Sequence, residues 1–264
     1  MSTLSMLIGG ESRAASNGAT FTRRNPLDGS VATTAPAATA DDARAAVDAA
    51  ARAFPAWSAL GPNERRAALQ KASHALEAKG PAIADAMARE TGASAMWAGF
   101  NVHLAAGMLM EAAALTPQIN GEVIPSDVPG SLAMALRQPA GVVLGIAPWN
   151  APVILGVRAV AVPLACGNTV VLKGSEISPA THGLIIEALQ EAGLPPGVVN
   201  FVTNAPEDAG AVVEAMVAHP AVRRVNFTGS TRVGRLIAQT CAKHLKATVL
   251  ELGGKAPLLV LDDA

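Results

Sequence analysis

Hydrophobic and polar positions follow two different patterns along the chain. Between residues 41 and 115, apolar residues recur every three or four positions, in stretches such as ADDARAAVDAAARAF and GPNERRAALQKASHALEAKG. This spacing predicts consecutive amphipathic helices, and the many alanines add helix propensity. From residue 168 onward, short apolar runs alternate with helical stretches. The first forty residues are polar and turn-rich, with NPLDGS as the clearest turn.

The second pattern predicts a parallel sheet. NTVVLK, GVVNFV, VRRVNFT and TVLEL have the character of strands, and SPATHGLIIEALQEAG predicts a helix with Ser178 as its N-cap. Upstream, SLAMALRQPAGVVLGIAP predicts two extended stretches with a break at Pro139, and APLLVLDD predicts a last strand. The expected fold class is α/β, a Rossmann-like and mostly parallel sheet with flanking helices, preceded by a helical segment.

Composition narrows the class of protein. Half of the 264 residues are apolar, and the net charge of −1 comes with scattered Lys and Arg, which argues against a nucleic-acid-binding surface. Cys166 and Cys241 give neither a disulfide framework nor the spacing of a metal site. No signal peptide is recognisable, and Arg158 and two prolines interrupt the most apolar stretch. We therefore expect no membrane span and a cytoplasmic location.

Candidate chemistry lies at strand ends, where open parallel sheets bind their ligands. In NFTGSTRVG a strand ends at Thr228 and a helix begins at Ser230, whose first turn offers free N–H groups and a positive dipole to a phosphate. Gly229 would let the backbone approach a ligand, and Gly234 would let the helix pack on the sheet. The alternative is a glycine-containing turn without a ligand.

Three further strand ends carry polar groups. VVLKGSE places Lys173 and Glu176 where an ammonium and a carboxylate suit ribose hydroxyls, and such a carboxylate favours NAD over NADP. GIAPWNAP presents Asn150, whose amide suits a developing oxyanion. LELGGK presents Glu251 beside two glycines as a candidate base. Taken singly, a solvated Lys–Glu pair and a turn asparagine explain the first two better than a binding or catalytic role does.

In this order, PWN, VLKGSE, FTGSTRVG and LELGGK resemble the aldehyde dehydrogenase superfamily, and the resemblance runs along the whole chain. GASAMWAGFNVH, LRQPAGVV, CGNTVVLKGSEISPATH and RRVNFTGSTRVGRLIAQ are similar to its salicylaldehyde and vanillin dehydrogenases. The resemblance implies oxidation of an aldehyde, with aromatic aldehydes favoured, to the carboxylate through a cysteine thiohemiacetal and thioester. It implies NAD as the cofactor, with NADP possible, a small-molecule aldehyde as substrate, and a homodimeric or homotetrameric full-length protein.

The resemblance also assigns roles to residues. Glu251 is the implied general base and Asn150 the implied donor to the oxyanion. Lys173 and Glu176 are implied to hold the adenine ribose, and Ser230 to meet the diphosphate. The other cofactor-binding candidates are Ile146, Ala147, Pro148, Trp149, Gly229, Val233, Gly234 and Leu252.

Four segments follow from the resemblance: 1–125, the helical N-terminal part of the cofactor-binding domain; 126–139, part of an oligomerisation strand element; 140–252, the Rossmann-like NAD-binding domain; and 253–264, the start of a catalytic domain. The family's nucleophilic cysteine is expected beyond the chain, which is then a fragment without its catalytic domain and inactive alone. The alternative is a non-catalytic nucleotide-binding module. An unrelated Rossmann reductase is disfavoured because no G-x-G-x-x-G motif follows the first strand.

Two features leave alternatives open. Trp97 and Phe100 in MWAGFN lie on a predicted helix, where core packing and the lining of an aromatic pocket are equally compatible with the pattern. The loop VTNAPEDAGAVVE has Gly210 as its only glycine, whereas family members often have several there. A backbone contact to the cofactor at this loop is therefore in doubt.

Overall fold

The computed structural model describes residues 2–264, and Met1 lies outside the described residues. The predicted turn at NPLDGS is confirmed, with Asn25 N donating to Ser30 O at 2.8 Å. The rest of the first forty residues is not simply turn-rich, and the description of residues 1–125 as helical holds only from Ala40 onward. This region contains five short strands: β1 (Ser2–Thr3), β2 (Met6–Ile8), β3 (Glu11–Arg13), β4 (Thr20–Arg24) and β5 (Val31–Pro36).

The helical pattern that follows is confirmed. Thr39 begins the first helix with a capping box, in which its hydroxyl accepts from Asp42 N and the Asp42 carboxylate accepts from Thr39 N. Pro62 occupies the first turn of the second helix, where its missing N–H costs nothing. The four helices are α1 (Ala40–Ser58), α2 (Pro62–Ala78), α3 (Gly80–Thr91) and α4 (Ala95–Leu115).

One helical stretch, Ala95–Gln118, is long and apolar enough to cross a membrane by length and composition alone. Its side chains include fully buried core residues such as Ala105 and Leu109, which pack against the neighbouring helices. A helix that belongs to a protein core passes the same test, so the property by itself says little about membranes.

An exposed hairpin follows α4. Strand β6 (Glu122–Ile124) pairs antiparallel with β7 (Ala133–Ala135). The predicted strand segment 126–139 contains β7, but its partner strand begins before that segment. Several apolar side chains of the hairpin are open to solvent, with Val123 at 73% and Leu132 at 70% exposure.

The main sheet has seven strands, in the order β12-β11-β8-β9-β10-β2-β3. The five strands formed by residues 142–251 are parallel to one another, as predicted. Strands β2 and β3 extend one edge of the sheet with antiparallel pairing. All residues of β8 and β9 are buried, which is typical of strands covered on both faces. The parallel strands are β8 (Val142–Ile146), β9 (Thr169–Lys173), β10 (Val199–Val202), β11 (Val222–Thr228) and β12 (Ala247–Glu251).

Helices cover both faces of this sheet and create two hydrophobic cores. One core contains residues of α2 to α6, and the other contains residues of α1, α7 and α8. The remaining helices are α5 (Pro152–Ala165), α6 (Pro179–Glu191), α7 (Ala209–Ala218) and α8 (Thr231–Lys243). From β8 the chain adds β9 and β10 on one side and then returns to place β11 on the other. The carboxyl ends of β8 and β11 therefore flank a topological switch point, where such sheets bind ligands.

The predicted strand APLLVLDD is wrong. Residues 252–264 form no strand, and Leu258 to Leu261 are between 64% and 87% exposed. A strand requires a neighbour to accept and donate its backbone hydrogen bonds, and none of residues 2–251 pairs with this segment.

Candidate active site

A cleft of about 700 Å³ opens at the carboxyl ends of β8, β9 and β11. Its volume lies within the range of ligand pockets, about 300–1,000 Å³. The turn after β9, the start of α7 and one side of α8 complete its walls. The structure brings most of the predicted cofactor-binding residues together here: Ile146, Ala147, Pro148, Trp149, Lys173, Glu176, Gly229, Ser230 and Val233.

Four predicted site residues lie outside the cleft wall. Asn150 is exposed in the loop before α5, and Glu251 is exposed at the end of β12, opposite Thr228 in the strand register. Gly234 is buried in α8, where an added Cβ would lie 2.4 Å from Leu252 Cδ2. Gly234 thus permits close approach of α8 to Leu252, just beyond β12, but neither Gly234 nor Leu252 lines the cleft.

A buried ion pair occupies the wall beyond β9. Lys173 Nζ donates to Glu176 Oε1, and the two side chains are 7% and 22% exposed. Asn204 Nδ2 donates to the same oxygen at 2.9 Å. Burial raises the pKa of Glu176, but the charge of Lys173 and the hydrogen bonds from Lys173 and Asn204 outweigh it and hold the pKa below its usual value. Glu176 is therefore a carboxylate at neutral pH.

His182 connects two of the loops at this end of the sheet. It is fully buried in α6, where Nδ1 accepts from Ser175 N at 2.9 Å and Nε2 lies 3.1 Å from Pro152 O. Because a backbone N–H only donates, Nδ1 carries no proton and Nε2 donates to the carbonyl. Burial lowers the pKa of His182 to about 4, so the ring is neutral. The imidazole thereby ties the turn after β9 to the start of α5.

The N-terminus of α8 forms the opposite wall. Ser230 is its N-cap, with the hydroxyl accepting from Val233 N at 3.3 Å. The first turn contains Arg232 and no acidic residue, so the positive end of the helix dipole is not neutralised from within the helix. Gly229 precedes the cap, and an added Cβ there would lie 2.6 Å from the Phe227 ring. A side chain at position 229 would therefore require the Phe227 ring to move.

An exposed aromatic pair lies beside Asn150. The rings of Trp97 and Phe100 stack with centroids 5.5 Å apart, and the residues are 40% and 49% exposed. Trp97 Nε1 donates to Asn150 O at 3.1 Å. Both residues keep much of their surface in solvent in this chain.

Sequence reasoning missed several residues of the site. Gly210 at the start of α7 does line the cleft, although its loop has no other glycine. Leu236, Ile237 and Thr240 line it from α8, and their three- and four-residue spacing marks one helix face. Asn204 and His182 carry no local motif. Asn204 is recognisable only when β9 and β10 are aligned in register, and His182 only from the packing of α6 beside the start of α5.

Neither cysteine lies at the cleft. Cys241 is fully buried in α8, and Cys166 follows α5 just before β9 begins, near the amino ends of the parallel strands and away from the cleft. Burial raises the pKa of both thiols, only partly offset by Arg65 near Cys166 and Lys246 near Cys241. Among residues 2–264, no three His, Cys, Asp or Glu side chains cluster as metal ligands would.

Comparison with known proteins decides the family. The sequence profile of the aldehyde dehydrogenase family matches residues 13–264. The chain belongs to this family. This match confirms the resemblance seen in the strand-end motifs. Aldehyde dehydrogenases are oxidoreductases that use NAD(P).

Two curated relatives act on aromatic aldehydes by name. A vanillin dehydrogenase of Pseudomonas fluorescens is 66% identical over 259 residues, covering 98% of this chain and 54% of the relative. A salicylaldehyde dehydrogenase of Pseudomonas sp. (strain C18) is 53% identical over 245 residues, covering 93% of this chain and 51% of the relative. The chain therefore spans about half the length of the curated relatives it matches.

A solved structure confirms the fold. The crystal structure of a salicylaldehyde dehydrogenase from Pseudomonas putida G7 complexed with salicylaldehyde superposes with a TM-score of 0.96 at 49% identity. The superposition covers 99% of this chain and 54% of that chain. The α/β class and the mostly parallel sheet with flanking helices are as predicted.

Proposed function

We propose that this chain forms the cofactor-binding part of an enzyme that oxidises an aromatic aldehyde to its carboxylate with NAD(P)⁺. One observation carries the proposal: a single cleft at the switch point combines a charged Lys173–Glu176 pair with the N-terminus of α8, whose first turn has no acidic residue. Identity to a vanillin and a salicylaldehyde dehydrogenase supports the substrate class.

The donor set fits a dinucleotide. Glu176 accepts from, and Lys173 donates to, the hydroxyls of the adenine ribose, and Ser230 with the first turn of α8 meets the diphosphate. The apolar wall of Ile146, Pro148 and Val233 covers the rings. A dinucleotide held by these residues would supply the hydride acceptor that the oxidation requires.

At the substrate end, Asn150 and Glu251 act on the reacting atoms. The Asn150 amide donates to the oxyanion that forms when a thiolate adds to the carbonyl carbon. After hydride loss, Glu251 takes a proton from the water that attacks the thioester, releasing the acid and the thiol. Both residues are held through their main-chain carbonyl oxygens. Trp97 Nε1 donates to Asn150 O, and Gly229 N donates to Glu251 O at 3.0 Å.

A thiol with a raised pKa is a poor nucleophile, and both Cys166 and Cys241 have raised pKa values. Neither lies at the cleft. We therefore assign the nucleophilic cysteine to a position outside these 264 residues.

The aromatic preference is proposed to come from Trp97 and Phe100. Their stacked rings present an exposed aromatic face next to Asn150, the residue that meets the carbonyl oxygen. Stacking of aromatic rings contributes about 0.5–1.5 kcal/mol beyond burial of area. An aromatic aldehyde gains this energy and an aliphatic one does not.

The hairpin of β6 and β7 is proposed to serve as the oligomerisation element. Its exposed apolar side chains, Val123, Leu132 and Leu136, are ones that a second copy would cover in a homodimer or homotetramer. The domain division stays as the sequence predicts, with residues 140–252 as the NAD-binding unit. Two free cysteines accord with a reducing, cytoplasmic setting.

Cofactor binding is tested first on the purified chain. Of its three tryptophans, Trp149 is the one at the cleft, so saturable quenching on addition of NAD⁺ or NADP⁺ is expected and should disappear in Trp149→Phe. Absence of binding by calorimetry for both dinucleotides would refute the cofactor assignment.

Substrate class is tested on the complete gene product, by the rate of NAD(P)H formation. We expect a higher kcat/KM for vanillin or salicylaldehyde than for a linear aliphatic aldehyde of similar size. Equal values would contradict the aromatic preference. Tight cofactor binding without oxidation of any aldehyde would favour the non-catalytic alternative.

A further inference from the structure

We infer that Asn204 fixes the Glu176 carboxylate in one orientation and thereby makes the cleft select a dinucleotide with a free ribose 2′-hydroxyl over one with a 2′-phosphate. This inference rests on the proposed function, because it refines which cofactor the same cleft accepts. Asn204 is a positioning residue in this account, since it acts on the cofactor through Glu176.

Two neighbouring strand ends bring the residues together. Strands β9 and β10 are parallel, with Lys173 opposite Val202, and Gly174 N donates to Val202 O at 2.9 Å just beyond them. Asn204 follows β10 by two residues and is fully buried. Its position is therefore set by the sheet rather than by a free loop.

The orientation of the Asn204 amide is determined by its partners. Nδ2 lies 2.9 Å from Glu176 Oε1 and 2.7 Å from Ala205 O, and both of these oxygens only accept. The amide nitrogen must face them. Oδ1 is left buried without a partner, which is unfavourable for local stability. Stability of the loop alone thus does not account for an asparagine at this position.

The two oxygens of Glu176 become unequal. Oε1 accepts from both Lys173 Nζ and Asn204 Nδ2, whereas no side-chain donor among the described residues reaches Oε2. Glu176 lines the cleft, so Oε2 is the acceptor it offers to a ligand. A 2′-hydroxyl donates to such an oxygen. A 2′-phosphate brings only acceptors and like charge.

Asn204 also prevents the Glu176 side chain from rotating away and leaving room for a 2′-phosphate. Without the second donor, Glu176 is held only by the flexible Lys173 side chain and is free to rotate away from the ribose site. Lys173 would then be available to pair with a 2′-phosphate. Removal of Asn204 is therefore expected to affect the two cofactors in opposite senses.

The experiment compares dissociation constants of NAD⁺ and NADP⁺ for the 264-residue chain, measured by calorimetry. Asn204→Ala is expected to weaken NAD⁺ binding about tenfold, while NADP⁺ binding stays equal or tightens. Asn204→Leu keeps the volume without the donor and is expected to give the same result, so the test does not depend on tolerance of one small side chain. In the Glu176→Gln background, Asn204→Ala should leave the NAD⁺/NADP⁺ ratio unchanged.

Asn200→Ala is the matched control. Asn200 is also fully buried, on β10 itself, but bonds Gly9 N and Gly197 O away from the cleft. It should lower the melting temperature without altering the cofactor ratio. Equal weakening of both cofactors by the Asn204 variants, or an unchanged ratio, would overturn the inference while leaving the proposed function in place. Failure of the unmodified chain to bind either dinucleotide would overturn both.

Discussion

Replacement of Glu90 by glutamine tests how the N-terminal strands are joined to a helix behind the cleft. Glu90 lies near the end of α3, is fully buried and accepts four hydrogen bonds. Oε1 accepts from Thr33 Oγ1 and Ala180 N, both at 2.8 Å. Oε2 accepts from Thr181 N at 3.0 Å and Thr181 Oγ1 at 2.8 Å. One side chain thus connects β5 with the first turn of α6.

The magnitude follows from these contacts. In Glu90→Gln an NH₂ group replaces one oxygen and faces a backbone N–H in either amide orientation, so one buried donor loses its acceptor. The hydroxyl beside it is able to rotate and accept instead. A buried unsatisfied group costs about 1–3 kcal/mol and more when a charged partner is lost, so we expect destabilisation of about 2–4 kcal/mol. Glu77→Gln, on the exposed face of α2, should stay within about 0.5 kcal/mol.

The pH dependence supplies a second check. Burial raises the pKa of Glu90 above its usual value of 4.5, and the bonds from Thr181, Ala180 and Thr33 offset this only in part. A raised pKa in the folded state gives stability that is present below 4.5 and is lost as pH rises through the folded pKa. The stability difference between the unmodified chain and Glu90→Gln should therefore be largest near pH 4 and smaller at neutral pH.

Urea unfolding followed by circular dichroism measures both effects. The reasoning is refuted if Glu90→Gln unfolds at the same urea concentration as the unmodified chain, or if the difference between them grows as pH rises.

Two further predictions concern single contacts near the cleft. His182 has a folded pKa of about 4 against an ordinary 6.5, so its neutral form contributes up to about 3 kcal/mol of stability above pH 6.5 that is lost as pH falls towards 4. In His182→Gln, the free energy of unfolding should depend less on pH in this window. Identical pH profiles for the variant and the unmodified chain would contradict the buried neutral ring. Gly234→Ala should destabilise the folded chain by about 1–3 kcal/mol because its Cβ would meet Leu252 Cδ2 at 2.4 Å. Leu252→Ala in the same chain should recover part of this loss. Additive effects of the two changes in thermal unfolding would argue against the clash.

The parallel sheet was predictable because its strands are short apolar runs separated by helices with clear ends. The strands of the first forty residues were not. Met6–Ile8 is only three residues long, and β3 and β4 lie largely at the surface, so neither length nor alternation identifies them. The strand prediction for the final apolar run was wrong for the opposite reason: the local pattern is clear, but the tertiary pairing is missing. Residues 256–263 have the composition of a strand but no neighbour among residues 2–264 to pair with.

The candidate site shows the same division. The positions of Lys173, Glu176 and Ser230 at the cleft were predictable because each lies at, or within three residues of, the end of a strand. Asn204 and His182 were not, since what matters in them is a contact with a different loop. Asn204 contacts Glu176 only because β10 is in register with β9. His182 contacts Pro152 only because α6 packs beside the start of α5. Register and helix packing are tertiary properties that local pattern does not encode.

The switch point has a consequence for how the chain folds. Strands β8 and β11 are neighbours in the sheet, yet the chain forms two other strands and three helices between them. Their pairing closes a long loop, which makes it the costly, non-local step in assembly of the sheet. The cleft spans the ends of these same two strands. A dinucleotide bound there, as proposed above, would stabilise the contact that chain entropy opposes most, so added cofactor should raise the fraction of the chain that is folded.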